Sequence, residues 1–107
     1  MDFKFVKIVV FTPLTHADQI REALAKAWAG QIGNYDSCSF SSRGIGRFRP
    51  LKGAKPFIGE MEKLEEVEEE RIEVICSKEN LEATLAAVKE AHPYEEPAID
   101  IIPLLNK

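Results

Sequence analysis

From Phe3 to Phe11 the chain carries apolar side chains on both parities of an extended backbone, with Val6, Ile8 and Val10 on one side and Val9 and Phe11 beside Lys7 on the other. Successive strand side chains point to opposite faces, so a strand that is apolar on both is covered on both and belongs in the middle of a sheet. Its neighbours must come from later in the chain, because the next segment reads as a helix. Thr15 offers a hydroxyl N-cap and Asp18 follows three residues on, a variant of the capping box that puts an acid at the positive helix end. Ile20, Ala23, Leu24, Ala27 and Trp28 then recur at helical spacing and form one apolar stripe, with Gly30 suited to the left-handed C-terminal position. This spacing places Trp28 in the core, and His16 in the first helical turn facing solvent.

Tyr35 to Phe40 alternates polar and apolar residues, with Cys38 and Phe40 opposite Ser37 and Ser39, and predicts a half-buried strand. Gly44 to Gly59 holds Gly44, Gly46, Gly53 and Gly59 with Pro50 and Pro56. Turns and short edge hairpins around Phe48, with little regular structure, are expected there. From Val67 to Cys76, Ile72, Val74 and Cys76 share one face while Arg71 and Glu73 share the other. The acids before Arg71 fit either the end of a helix or a long strand emerging from a turn; the strand is preferred. Ser77 can cap a second helix with Leu81, Leu85, Val88 and Ala91 as its buried stripe, and Pro93 stops it. Ala98 to Leu105 is a last strand, with Pro103 marking an edge or a bulge.

This order predicts an α+β, ferredoxin-like βαββαβ sandwich: an antiparallel sheet with two helices on one face, plus an irregular hairpin insertion. With 107 residues, one core and one domain spanning 1–107 are expected. The uncovered face would expose Val9 and Phe11, so self-association is expected. A formal charge of −4 argues against nucleic acid. No leader-like or membrane-length apolar stretch stands out, so a cytoplasmic protein is expected, with no membrane partner. Cys38 and Cys76, both in strand-like segments and without metal-site spacing, read as buried thiols, a disulfide being the alternative.

Two segments carry candidate chemistry. His92-Pro93-Tyr94-Glu95-Glu96 brings an imidazole, a phenol and two carboxylates to a helix end. In one reading His92 caps the last carbonyls and favours its charged form, Pro93 stops the helix, and Tyr94 packs with its hydroxyl bonded. In the other, His92 and Glu95 face a cleft and hold a ligand or metal, with symmetry multiplying ligands too few for a tight site. Gly44-Ile45-Gly46-Arg47 reads as a hairpin turn, or as a loop whose amides and guanidinium hold an anion. Arg43, Arg47, Arg49, Lys52 and Lys55 make it the basic segment of an acidic chain, suited to an anionic ligand or acidic partner. Ser37, Ser39, Ser41 and Ser42 suggest a nucleophile only with a base beside them, and the sequence context of neither histidine supplies one, so no catalytic residue or cofactor is implied.

Four blocks together resemble a known family: Gly33 to Phe40, Gly44 to Pro50, Gly59 with Glu65-Glu66-Val67, and His92 to Pro97. The chain is similar to the PII-like, CutA-like domain inserted in bacterial YqfO proteins of the NGG-one-interacting-factor-three family, from about Phe3 to Leu104. The closing block also resembles one in CutA divalent-cation-tolerance proteins. The resemblance implies a ferredoxin-like trimer with clefts between subunits. The larger relatives hold a dinuclear metal centre in flanking halves through several histidines and carboxylates, whereas this chain has His16 and His92 alone, so that centre is not expected here. Glu62 stands where the family pattern usually has glycine. The function expected is an oligomeric regulatory or ligand-binding module, with Gly44, Gly46, Arg47, His92, Tyr94 and Glu95 as candidate ligand residues. A CutA-like divalent-cation protein is the alternative, and a small hydrolase stands third.

Overall fold

β1 (Phe5–Pro13) is flanked along both edges by antiparallel partners, β3 (Glu65–Ser77) and β4 (Ile99–Leu104), the central place that its apolar sequence predicts. The computed structural model describes residues 2–106. β2 (Phe40–Phe48) pairs with the outer side of β3, giving a four-stranded antiparallel sheet in the order β2-β3-β1-β4. The helices α1 (Ala17–Lys26) and α2 (Leu81–Ala91) are each entered through a 3-10 turn, Leu14–His16 and Lys78–Asn80. The fold is the ferredoxin-like α+β arrangement that the strand and helix order predicts.

Both helices lie on one face. Val6, Ile8, Val10, Ile72, Val74 and Cys76 pack there with Ala17, Ile20 and Leu24 of α1 and Val88 of α2. Each fully buried aliphatic side chain contributes about 1.5–3 kcal/mol over its exposed state, so this layer dominates stability. Arg21 of α1 reaches across the same face to Glu70 at 2.7 Å and to Ser41 at 3.1 Å. Alternation sends the odd-numbered residues of β1 and β3 to the other face, which carries no helix.

Several local expectations are corrected. Thr15 does not cap α1: its hydroxyl meets His16 Nδ1 at 2.9 Å, and Asp18 instead pairs with Arg21 at 2.7 Å. His16 sits in the preceding 3-10 turn and is half-buried, edge-on to Phe57. Trp28 is 60% exposed, because the helix ends at Lys26, two residues before it; the chain reverses there, with Trp28 at φ 67°, and Ala29 enters the core in its place. The reversal lets the Gly30 N–H donate to the Ile75 carbonyl at 2.7 Å. Gly30 has φ +83°, and a Cβ there would strike the Cys38 carbonyl, so the left-handed position is one that glycine alone fits.

Residues 35–39 are not a strand, since Ile32 and Tyr35 close a tight turn and β2 begins at Phe40. The segment expected to be irregular is strand as far as Phe48, because the long β3 offers it a continuous ladder through Gly44 and Gly46. Ser77 makes no side-chain cap to α2. Cys76 is buried and its thiol is pushed up by burial, whereas Cys38 is partly exposed in the loop before β2; both are free.

Candidate functional site

At the end of the sheet where Pro13 pairs with Glu69, three segments converge: the close of β1, the turn after α2, and the connection from β2 to β3. The two chain ends leave from the opposite end, where Phe5 pairs with Leu104.

His92 ties the turn after α2 to β1. Its Nε2–H donates to the Phe11 carbonyl at 2.7 Å, and its Nδ1 accepts the Tyr94 N–H at 3.1 Å. A carbonyl can only accept and an amide N–H can only donate, so these partners define the neutral tautomer. His92 is buried, and burial pushes its pKa below the ordinary value, outweighing the Phe11 carbonyl and Glu69, which favour the cation. The expectation that it bonds the last helical carbonyls in its charged form is therefore corrected: α2 ends in a residue bonded to the sheet.

Tyr94 donates its hydroxyl to Glu69 Oε2 at 3.0 Å. Burial first, then the bond and the charge of Glu69, push its ionisation above the ordinary phenol range. Its ring packs against Phe48 at 5.9 Å, Phe57 at 6.5 Å and His92 at 5.0 Å between centroids. Glu95 accepts the backbone N–H of Lys55, which closes the β2–β3 connection onto the turn after α2. Beside this junction, Leu85, Lys89, Tyr94, Glu96, Pro97 and Ile99 are among the residues lining an open groove of about 350 Å³ between α2 and β4.

Gly46 joins the constellation through its missing side chain, because a Cβ there would run into the Glu69 carboxylate. Gly44 pairs with Glu69 in the ladder. Neither glycine has a positive φ, so they form extended strand and not the turn or amide cradle expected. Arg47 is on the opposite face from Gly46, across the ladder from Glu66, as Arg43 is across from Glu70. Hence the structure brings Gly46, His92, Tyr94 and Glu95 together and leaves Arg47 apart. The sequence reading missed Glu69 and Phe57. A glycine inside a strand signals a close approach, but naming what approaches Gly46 requires the β2–β3 register.

Among the described residues no group of three or more His, Cys, Asp or Glu side chains could hold a metal ion. No described helix is long and apolar enough to cross a membrane.

The fold is that of the CutA proteins: the periplasmic divalent cation tolerance protein CutA from Archaeoglobus fulgidus superposes with a TM-score of 0.68 over 94% of this chain and 84% of that one, at 22% identity. A nearer likeness is the Bacillus cereus protein related to NIF3, with a TM-score of 0.85 and 47% identity over 98% of this chain and 27% of that chain. In sequence, the GTP cyclohydrolase 1 type 2 homolog of Halalkalibacterium halodurans is 52% identical over 101 residues, 94% of this chain and 27% of that protein. The protein of that name from Bacillus subtilis is 50% identical over 98 residues, 92% of this chain and 26% of its own length. The chain is thus a homologue of one segment of these NIF3-related proteins and spans about a quarter of their length. No protein-family model matches it.

Proposed function

We propose that this chain is a cytoplasmic ligand-binding or regulatory module that works as a single unit, assembles as a homotrimer through the open face of its sheet, and catalyses no reaction itself. One observation carries the reading. The connection after β2 and the turn after α2 are locked together through Glu95 and Lys55 and through the rings of Phe48, Phe57 and Tyr94, at the end of the sheet away from both chain ends. Such a junction can transmit occupancy of a cleft to the neighbouring subunit. Phe40 and Ile102, exposed on the open face, support self-association. The relatives' name, a homolog of an enzyme, does not assign catalysis to this segment.

Calorimetric titration with nucleotides, zinc and copper tests the module. Nucleotide binding lost in Arg47→Ala supports an anion-responsive module. Metal binding lost in His92→Ala supports the divalent-cation alternative. Hydrolytic turnover by the purified chain, abolished by a point substitution, overturns the reading.

A further inference from the structure

Glu69 is the one carboxylate among the described residues that is buried, at 8% exposure, and it has a phenol for a partner but no cation of its own chain within ion-pair distance. We propose that Glu69 and the Tyr94 hydroxyl form a receptor for an organic cation, a guanidinium or primary ammonium group, supplied from outside the chain. This deepens the proposed function only in using the same end of the sheet; the ligand class is new.

Burying a carboxylate is favoured by a counter-charge, and a phenol bond supplies a hydrogen bond but no charge. The cations of β2 and β3 are turned elsewhere. Arg71, the single basic residue of β3, shares the face of Glu69 but is turned to Glu73 at 3.3 Å and lies over the Phe11 ring. Arg43 and Arg47 sit on β2 at positions whose side chains leave by the opposite face. On the edge strand β2 the position beside the Glu69 carboxylate is Gly46, so at that position no side chain competes with an incoming cation for the carboxylate, which is tied to Tyr94 through Oε2.

The surroundings select the kind of cation. A metal ion needs three or more donors, and no such group is present among the described residues. A guanidinium needs one carboxylate, which it can meet with two parallel bonds, and gains from aromatic faces such as those of Phe48, Phe57 and Tyr94. Two sources share this chemistry: a basic side chain of a second copy, with Arg43 and Arg47 exposed on its edge strand, or a small molecule.

The test titrates methylguanidinium chloride into wild type and Glu69→Gln by NMR and follows mass by sedimentation, with sodium chloride at equal ionic strength as the control. Glutamine keeps an acceptor for the Tyr94 hydroxyl while removing the charge, so a purely structural Glu69 tolerates it. Saturable shifts of the Gly46 amide and Tyr94 ring, with affinity weakened about tenfold or more in Glu69→Gln, are expected for a small-molecule source. Dissociation of an assembly by methylguanidinium, reproduced by Glu69→Gln, marks a second copy as the source. If neither shift nor mass responds in the wild type, or if Glu69→Gln matches it, the inference is overturned. Should Glu69→Gln fail to fold, the wild-type shifts against the sodium control decide alone. Nucleotide or metal results leave this inference untouched, and its failure leaves the module standing.

Discussion

At Glu62 a side chain occupies backbone that favours glycine, with φ 64°, and its N–H donates to the Pro50 carbonyl at 2.6 Å to close the connection between β2 and β3. A left-handed conformation costs an ordinary residue about 1–2 kcal/mol, while glycine adds about 0.4–1 kcal/mol of entropy to the unfolded chain. Glu62→Gly is therefore expected to stabilise the protein by up to about 1 kcal/mol, seen as a rise of a few degrees in the thermal midpoint. A fall would show that the Glu62 side chain contributes more than its strain costs. The opposite substitution at Gly30 has no such margin, since the obstacle to a Cβ is the Cys38 backbone. Gly30→Ala is expected to lower stability by more than about 2 kcal/mol in denaturant unfolding. Position Glu62 was legible from the resemblance, which marks it as a departure from glycine. Trp28 was not: periodicity puts a tryptophan in the core, and the one-residue shift to Ala29 follows from where Ile75 needs a donor.

Between elements, the most consequential link is His92, which holds the end of α2 to β1 while neutral. Its pKa is depressed in the folded chain from the ordinary value of 6.5, so an unfolded chain takes up the proton first as pH falls. The stability it contributes is fully present above that value and is lost as pH drops below it, with a slope of at most about 1.4 kcal/mol per pH unit. The neighbouring Glu69 works against this loss and His16 adds to it. His92→Gln is expected to lose about 1–3 kcal/mol at pH 7.5 and to show a flatter decline between pH 7 and 5 in denaturant midpoints. An unchanged slope would remove His92 as its origin. The elements themselves were largely legible, because the apolar run of β1, the helical stripe of α2 and the alternation of Ile72, Val74 and Cys76 in β3 mark them, while the acids that open β3 fitted a helix as well as a strand. Where sequence reasoning failed, between Tyr35 and Phe48, local composition opposed the outcome: glycines weaken a strand on their own, and β2 forms because β3 is already there to pair with it. The candidate site was half legible. His92, Tyr94 and Glu95 are adjacent in sequence, whereas Glu69 lies inside a run of glutamates that alternation divides between two faces, and only the register distinguishes it.

For the whole molecule, the open face is the feature that a lone chain leaves unresolved. Val9 and Ile75 are already covered by their neighbours on it, but Phe40 is 67% exposed at one edge and Ile102 is 45% exposed at the other. Their ladder partners, Glu73 and Lys7, place both side chains on the helix-free side. Apolar groups spread across a full sheet width are better accounted for by a broad contact than by a small ligand, and the charged pair Arg71 and Glu73 between them suits a wet, specific interface. In an assembly this face and the Glu69 end would be continuous, because both belong to the same side of β3. Phe40→Glu and Ile102→Glu are each expected to weaken self-association about tenfold or more in sedimentation equilibrium, leaving the circular dichroism spectrum and the α1–α2 core unaffected, since neither side chain touches that layer. A wild-type chain that stays monomeric at high concentration would remove the trimer and, with it, the second copy as the source of a cation for Glu69. The small-molecule source would then remain as the form of that inference to be tested.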